Sequence, residues 1–272
     1  MNEEKIAVEQ YVCSLIDILG QKEKLAEIKG IDFKHNVDKV KEVLKKTYGA
    51  VAHFRHNMND SMKFMNLIKL DHGIKTNFTS NPIEIKSFSD LISSYVSLRD
   101  DKNKLQFEGI FFLLFSNCEV FLKMLAKGIP LRGGIDIGIG LKIEKDELYG
   151  TALSNPYILE SKVAKSIRVV IGQELYEHID NCAKSKVESN ESLDYNIEYA
   201  KLCKKIIIQD SDGEYILDYL SSEIHGMENF EEISKKAKDF LEKTQNELQI
   251  KHEFEVAKKY REAIKYFERN GI

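Results

Sequence analysis

The sequence predicts an α/β protein of the α+β type, with a β-α-β-β-α-β core and a late hairpin and helices added after it. The main observation is the order in which strand-like alternation and helix-like periodicity follow one another along the chain. A second is composition: 43% of the 272 residues are hydrophobic and 31% are charged, which is typical of a globular domain. Only three prolines occur and no low-complexity linker does, so we expect one domain over 1–225 and a helical extension over 226–272 packed on it.

The first half of the chain predicts a strand, a long helix and a hairpin. "EQYVCSLIDIL" (9–19) is rich in β-branched and aromatic residues, which favour a buried strand. Over 33–72 apolar residues recur at helical spacing. "NPIEIKSFSDLISSYVSL" (81–98) alternates on both sides of Ser89 and Asp90, which is typical of a hairpin that turns there.

The second half supplies the rest of the core and the added elements. The segment 103–127 predicts a helix buried on most sides, and "IPLRGGIDIGIGLKIEKDELYG" (129–150) predicts an alternating strand that ends in a short polar turn. A helix over 151–165 and a strand in "SIRVVIG" (166–172) follow. "KIIIQDSDGEYILDYL" (205–220) predicts a hairpin turning on Asp212 and Gly213, and the last 45 or so residues are helical in pattern.

Charge, cysteine usage and the N-terminus predict a cytoplasmic protein with no nucleic-acid or membrane partner. The net charge of −4 provides no basic field for either. The four cysteines form no CxxC pair and are expected to be reduced. "MNEEKIAVEQ" is too acidic for a signal peptide. "GIFFLLFSNCEVFLKML" (109–125) is interrupted by Asn117, Glu119 and Lys123, so we interpret it as a core helix too short and polar to span a bilayer.

Two aspartates are predicted to meet at one edge of the sheet. Asp17 ends the first strand and Asp90 lies in the hairpin, and in a β-α-β-β-α-β sheet these strands are neighbours. Two carboxylates at one place repel each other, and a divalent cation such as Mg²⁺ or Mn²⁺ removes that penalty. Gly20 then allows the backbone amides of the turn to approach phosphate oxygens. The alternative for Asp17 alone is an ordinary turn or helix-capping aspartate.

These residues resemble the class III nucleotide cyclases, and more closely the pyrimidine cyclases of bacterial anti-phage Pycsar systems. The resemblance extends from Tyr11 to the C-terminal "KKYREAIKYFERNGI". "IDILG" and "KSFSD" are similar to the two metal motifs, while "LRGGIDIGIG" and "YGTALSNPYILESKVAKSIRVVI" resemble the later strand and helix. The resemblance implies a ferredoxin-like antiparallel core.

The resemblance also implies roles for particular residues. The metals would be held by Asp17, the backbone carbonyl of Ile18, and Asp90. Lys86 would read the base, with a solvated strand lysine as its alternative, and Glu147 falls where purine cyclases carry a second base reader. The backbone amides that would hold the triphosphate belong to Leu19, Gly20 and Gln21.

The helix after Gly150 departs from the purine cyclases. Where those enzymes carry an asparagine and an arginine, this chain has Ser154 and Ile158, so the transition-state arginine is missing. The departure argues against an ordinary adenylate or guanylate cyclase and fits the pyrimidine branch. Ser154 is kept as a catalytic candidate, and Arg168 and Lys165 are candidates for the missing cation.

The function implied is cyclisation of UTP, or CTP, to the 3′,5′-cyclic monophosphate and pyrophosphate, with two Mg²⁺ or Mn²⁺ ions per site. The product would be a second messenger in anti-phage defence, read by a separate effector protein. The resemblance implies a homodimer with shared active sites. The alternatives are a catalytically inactive cyclase-like protein that binds nucleotide or a partner, and a purine cyclase.

Two other motifs have simpler explanations. "GGIDIGIG" resembles a dinucleotide-binding fingerprint, but its residues alternate as a strand and no helix opens after it. "DSDGEY" resembles the start of a calcium loop, but the twelfth position is Ser221 where that loop needs a glutamate. We interpret the first motif as a strand and the second as a hairpin turn.

Overall fold

A computed structural model describes residues 8–71, 83–99, 103–143, 147–186 and 191–272. The predicted turn at 144–146 and the N-terminal residues 1–7 lie outside these ranges. A 3-10 turn over Phe33–His35 precedes the long second helix, and a π-helical segment over Leu159–Val163 continues the fourth. The strands and helices, in chain order, are β1 (Val8–Ile18), α1 (Gln21–Ala26), α2 (Val37–Asp71), β2 (Glu84–Phe88), β3 (Leu91–Ser97), α3 (Phe107–Ala126), β4 (Leu131–Ile143), β5 (Glu147–Gly150), α4 (Thr151–Ile158), β6 (Val169–Ile171), α5 (Gln173–Lys184), α6 (Glu191–Lys205), β7 (Ile207–Gln209), β8 (Tyr215–Leu217), α7 (Phe230–Ile250) and α8 (Phe254–Arg269).

The predicted α+β class is confirmed. The first four strands lie in the order β2-β3-β1-β4, and every neighbouring pair among them is antiparallel. With the helices that join them, they form a β-α-β-β-α-β sheet of the ferredoxin-like kind. The sheet continues through β6, which is parallel to β4, to the β8–β7 hairpin, and β5 pairs with β4. Helices α5 and α6 were not predicted from the sequence.

One face of the sheet, here called the core face, packs against α3. Val12, Ile16 and Ile18 of β1 point to this face and are fully buried in the main core. The Ser14 hydroxyl, also on this face, donates to Asn117 of α3 at 3.0 Å, and the Asn117 amide donates to the Leu113 carbonyl at 2.7 Å. These two bonds satisfy the polar side chain of Asn117 inside the core.

Among the described residues one helix, α3, has the length and hydropathy to cross a bilayer, contrary to our expectation that it was too short and polar. The apolar stretch of α3 is 89% buried inside the fold. The core helix of a globular domain passes the same test of length and composition, and here that apolar surface lies against the sheet, α2 and α7.

The opposite face, here called the site face, carries Tyr11, Cys13 and Asp17 of β1, because side chains alternate along a strand. Helix α4 and the π-helical segment cross this face directly over the glycines of β4. A Cβ at Gly134 would lie 2.5 Å from the Pro156 carbonyl, and one at Gly138 would lie 2.4 Å from the Ala152 nitrogen. The "GGIDIGIG" motif therefore serves helix-on-strand packing.

The added C-terminal elements extend the same core. Ala237 and Leu241 of α7 and Phe267 of α8 are buried in the main cluster, and α7 contacts α3. The predicted hairpin turn is confirmed at Gly213, which has a φ of 90°. Helices α7 and α8 thus pack on the same core as the sheet.

Candidate metal and nucleotide site

Asp17 lies at the end of β1, on the site face, in one row with residues of three other strands. It pairs with Leu91 of β3 and with Arg132 of β4. Its side chain is 23% exposed. Burial and the negative charge of Glu160 raise the pKa of Asp17 to about 6, against an opposing contribution from Arg132. Asp17 is thus a partly buried carboxylate that lacks full charge compensation.

Asp90 lies beside Asp17, in the turn between β2 and β3. Its backbone carbonyl accepts a hydrogen bond of 3.2 Å from the Ile18 amide, and its negative charge adds to the raised pKa of Asp17. The turn is tight, because the preceding Ser89 has a φ of 57°. The structure therefore brings together the two aspartates that the sequence predicted to meet.

Arg132 connects Asp17 to a third carboxylate, Glu160, which the sequence analysis did not assign to the site. The Arg132 Nη2 lies 3.3 Å from Asp17 Oδ2 and 2.5 Å from Glu160 Oε1. The Arg132 Nε donates to the same Glu160 oxygen at 2.8 Å. One guanidinium is thus shared by carboxylates from β1 and from the π-helical segment.

The turn after β1 differs in one respect from the predicted phosphate cradle. The Leu19 amide donates to the Pro130 carbonyl at 3.0 Å, so a phosphate would have to replace that bond. Gly20 has a φ of 80°, and a Cβ built there would have no atom within 4 Å. Glycine is therefore required by the left-handed backbone conformation and not by lack of space. The Gln21 side chain is buried, and neither atom of its amide has a hydrogen-bond partner in the described part of the chain.

Lys86 lies on the same face of the sheet as Asp17. It pairs with Ser93, which in turn pairs with Leu15, so it lies two strands from β1 and one row from Asp17. Standard strand and residue spacings place the Cα atoms of Lys86 and Asp17 roughly 12 Å apart. That separation suits groups that contact opposite ends of one nucleotide.

Glu147 is not brought to this site within one chain. It pairs with Ile143, whereas Asp17 pairs with Arg132, near the other end of β4. At about 3.3 Å per residue, more than about 30 Å of strand separates these two pairs. Glu147 therefore does not lie beside Asp17 of the same chain, and its role as a base reader stays a prediction for a site shared by two copies.

Ser154 and Ile158 are both exposed on the outer surface of α4, away from the strands that α4 covers. The neighbouring Asn155 is directed inward, where its side-chain amide donates to the Ile137 carbonyl at 3.1 Å. Among the described residues of one chain, neither Ser154 nor Ile158 makes a hydrogen bond to Asp17 or Asp90, and Ser154 faces outward from the fold.

Arg168 is held elsewhere, which excludes it as the missing cation. It donates to Asp210 at 2.7 Å and Asp212 at 2.6 Å, and also to the backbone carbonyls of Val163 and Ala164. Arg168 thus donates to carbonyls at the C-terminal end of the π-helical segment and to both aspartates of the "DSDGEY" turn. Lys165, the other candidate, is exposed and has a φ of 46°.

The donor set around Asp17 fits a hard divalent cation. Asp17 and Asp90 offer carboxylate oxygens, and burial together with the charge of Glu160 raises the pKa of Asp17, so a cation there would stabilise the ionised form. In the described ranges no group of three or more histidine, cysteine, aspartate or glutamate side chains forms a metal cage. The arrangement resembles the sites at which Mg²⁺ keeps water and substrate phosphates as further ligands, which two carboxylates are enough to anchor.

Comparison with known proteins gives no relative: no family model matches the sequence, and no curated protein matches it significantly. The assignment of function therefore depends on the residues and geometry described above.

Proposed function

We propose that the chain is a pyrimidine nucleotide cyclase that converts UTP, or CTP, to the 3′,5′-cyclic monophosphate and pyrophosphate. The observation that carries the proposal is the convergence of Asp17 and Asp90 at one edge of a β-α-β-β-α-β sheet, with Asp17 short of positive charge. A phosphoryl-transfer site needs this combination, because catalysis there is mostly positioning and charge compensation.

Each residue has a defined part in the proposed reaction. The 3′-hydroxyl of the ribose gives its proton to solvent as its oxygen forms a bond to the α-phosphorus, the bond from that phosphorus to the bridging oxygen breaks, and pyrophosphate leaves with the electron pair. Asp17, Asp90 and the Ile18 carbonyl would hold the divalent cations. Bound Mg²⁺ or Mn²⁺ would acidify the 3′-hydroxyl and neutralise charge on the leaving phosphates.

The substrate would be oriented from its two ends. The amides of Gly20 and Gln21 hold phosphate oxygens, with the Leu19 amide joining them if its bond to Pro130 opens. Lys86 donates to the base, for which O4 of uracil is a suitable acceptor. The separation of Lys86 from Asp17 along the site face supports this division of roles.

We further propose a homodimer in which Asp17 and Asp90 of one copy meet the Ser154 helix of the other. Ser154 is exposed, and two large apolar residues beside it, Tyr157 and Ile158, are exposed as well. Such a shared site needs an interface of obligate size, upward of about 2,000 Å². The cyclic product would act on a separate effector protein in anti-phage defence, and we place the enzyme in the cytoplasm.

The deciding experiment incubates the purified chain with each of the four ribonucleoside triphosphates and Mn²⁺, and measures pyrophosphate and cyclic nucleotide. The proposal expects turnover of UTP or CTP. Turnover of ATP or GTP alone would instead identify a purine cyclase. Binding of nucleotide without pyrophosphate would favour the inactive cyclase-like protein, which the exposed Ile158 in place of an arginine also favours.

Complementation tests the shared site. Inactive Asp17→Asn protein is mixed with a variant disabled on the other side of the site, such as Ser154→Arg. Exchange of protomers should regenerate one intact site per mixed dimer and partly restore activity. If exchange is confirmed and no activity returns, the shared-site arrangement is wrong, whatever the substrate.

A further inference from the structure

Arg132 is held unequally by its two carboxylates. Glu160 receives two short contacts, 2.8 Å from Nε and 2.5 Å from Nη2, whereas Asp17 receives one of 3.3 Å from Nη2. Charge-assisted hydrogen bonds weaken as they lengthen, so Glu160 is the principal partner of the guanidinium. Asp17 is left with a partial share of one positive charge.

The position of Glu160 is fixed by its surroundings. Its side chain is 5% exposed, and it lies in the π-helical segment that the 2.8 Å bond from the Ala164 amide to the Leu159 carbonyl closes. A Cβ at Gly134 would lie 3.0 Å from the Glu160 nitrogen, so this backbone lies directly on β4, two residues from Arg132. Segments of π-helix occur frequently at functional sites.

We propose that Glu160 is a positioning residue that sets the affinity of the Asp17 site for a divalent cation, by drawing Arg132 away from Asp17. The inference rests on the metal site of the proposed function. Arg132 is then the resident cation of the site: a metal that binds Asp17 Oδ2 competes with the Arg132 Nη2, and Glu160 keeps the displaced guanidinium neutralised.

The proposal makes a prediction that a merely structural ion pair does not. Among the described residues, Glu160→Gln leaves Asp17 as the only ionised partner of Arg132, so the Arg132–Asp17 pair tightens and metal binding weakens. Arg132→Gln removes the competing cation, so metal binding strengthens. If Glu160 acted only by its own charge, its effect on metal affinity would be the same with and without Arg132.

The test is a double-mutant cycle on Mn²⁺ binding, measured at pH 8 by the electron paramagnetic resonance signal of free Mn²⁺. It uses the full chain and its Glu160→Gln, Arg132→Gln and doubly substituted variants, without nucleotide. Glu160→Gln should weaken Mn²⁺ binding, and we compare the fold-change with Arg132 present and with Arg132 replaced. We expect the fold-change to be at least about fivefold larger when Arg132 is present. Equal factors, within about twofold, would overturn the proposal.

A matched control is available on the same face of the sheet. Glu84 is paired with Lys142, and Glu84→Gln should change Mn²⁺ affinity by less than about twofold, as expected for a partly exposed pair. A change as large as that of Glu160→Gln would show a general charge effect and overturn the proposal. Circular dichroism and thermal melting confirm that each variant is folded.

If Glu160→Gln does not fold, variants of Arg132 test the proposal without it. Arg132→Gln should bind Mn²⁺ more tightly than the wild-type chain, whereas Arg132→Lys, which keeps the charge, should not. Weaker binding by Arg132→Gln overturns the proposal. Because this test measures Mn²⁺ binding, it can fail separately from the proposed function. If the chain turns over UTP but Glu160 and Arg132 are not coupled in Mn²⁺ binding, only the role of Glu160 is refuted. If the two residues are coupled but no pyrophosphate is released, only the cyclase activity is refuted.

Discussion

Two arginine–carboxylate clusters lie on the same domain and differ in their charge balance. Arg168 is buried, and its ion pairs to Asp210 and Asp212 measure 2.7 and 2.6 Å. The hydrogen bond from Arg168 lowers the pKa of Asp212. For Asp210, hydrogen bonds from the Ser211 amide and Arg168 outweigh the effect of burial and lower its pKa as well. This cluster is electrostatically complete.

The cluster at Arg132 is incomplete. Burial of Asp17, the negative charge of Glu160 and, to a smaller extent, that of Asp90 outweigh the one guanidinium that Asp17 and Glu160 share, and together they raise the pKa of Asp17 to about 6. A buried charge without full compensation lowers the stability of the folded state. Groups with such raised pKa values concentrate at functional sites, because binding or catalysis uses the unbalanced charge. The comparison therefore favours a structural role for the Arg168 cluster and supports the proposed site at the Arg132 cluster.

The largest expected effect tests this separation through turnover. Asp17→Asn or Asp90→Asn should abolish cyclisation while the fold is retained, because an amide keeps the volume but cannot balance a dication. Loss of a metal from the site should lower the rate roughly 10³-fold or more in a pyrophosphate-release assay. The matched control is Asp212→Asn in the complete cluster, which should leave the rate per folded molecule unchanged. Near-native rates for soluble Asp17→Asn would refute the site.

The complete cluster should instead respond in stability. Arg168→Met leaves Asp210 and Asp212 without their shared cation and frees the carbonyls of Val163 and Ala164. Removing one partner of a buried ion pair typically costs about 3–5 kcal/mol, which urea unfolding would measure. Turnover per folded molecule should persist. A loss of activity without a loss of stability would place Arg168 in the site after all.

The two clusters also show which features the sequence could predict. Asp17 and Asp90 were predictable, because a strand end and a hairpin turn are local patterns and the β-α-β-β-α-β order makes their strands neighbours. The "DSDGEY" turn was predictable as well, since a glycine at positive φ is a local requirement. These predictions share a basis in local patterns, to which the meeting of Asp17 and Asp90 adds only the order of strands and helices along the chain.

The partners of Asp17 were not predicted, because they depend on strand register and helix placement. Arg132 is 115 residues from Asp17, and Glu160 is 28 residues from Arg132. One signal was present: the apolar alternation of β4 assigns Ile135 and Ile137 to the core face, and that leaves Arg132 on the site face. It could not indicate that Arg132 lies opposite Asp17, since a shift of one residue reverses the face.

The pH dependence of stability should have opposite signs in the two clusters. The raised pKa of Asp17 means that the folded state binds its proton more tightly than the unfolded state, whose ordinary value is 3.8. This contribution to the free energy of unfolding is present at about pH 4 and is lost as pH rises through about 6. For Asp210 and Asp212, whose pKa values are lowered, stability is lost as pH falls below the ordinary value.

We expect Asp17→Asn to remove about 2 kcal/mol of the stability loss between pH 4 and 7.5, measured by urea unfolding in EDTA. Asp136 is the matched control: burial raises its pKa to about 6, but its carboxylate accepts from the Leu175 amide, on α5. Asp136→Asn should remove a similar part of the stability loss between pH 4 and 7.5 and leave Mn²⁺-dependent turnover intact. If the free energy of unfolding of Asp17→Asn depended on pH as that of the wild-type chain does, the incomplete charge compensation of Asp17 would be contradicted.

The smallest expected effect concerns Lys86, on the site face with the incomplete cluster. If Lys86 donates to the base, Lys86→Ala should raise the apparent KM for UTP about tenfold, or relax the choice among triphosphates by a similar factor, because one hydrogen bond to a polar base is lost. The rate at saturating substrate should change less, since the proposed metal ligands Asp17 and Asp90 are unchanged. Lys205, which pairs with Glu223 at 3.0 Å near β7, is the control: Lys205→Ala should leave all four KM values unchanged. Identical kinetics for Lys86→Ala and the wild-type chain would make Lys86 a solvated strand lysine and confine the function of this face to the carboxylates around Arg132.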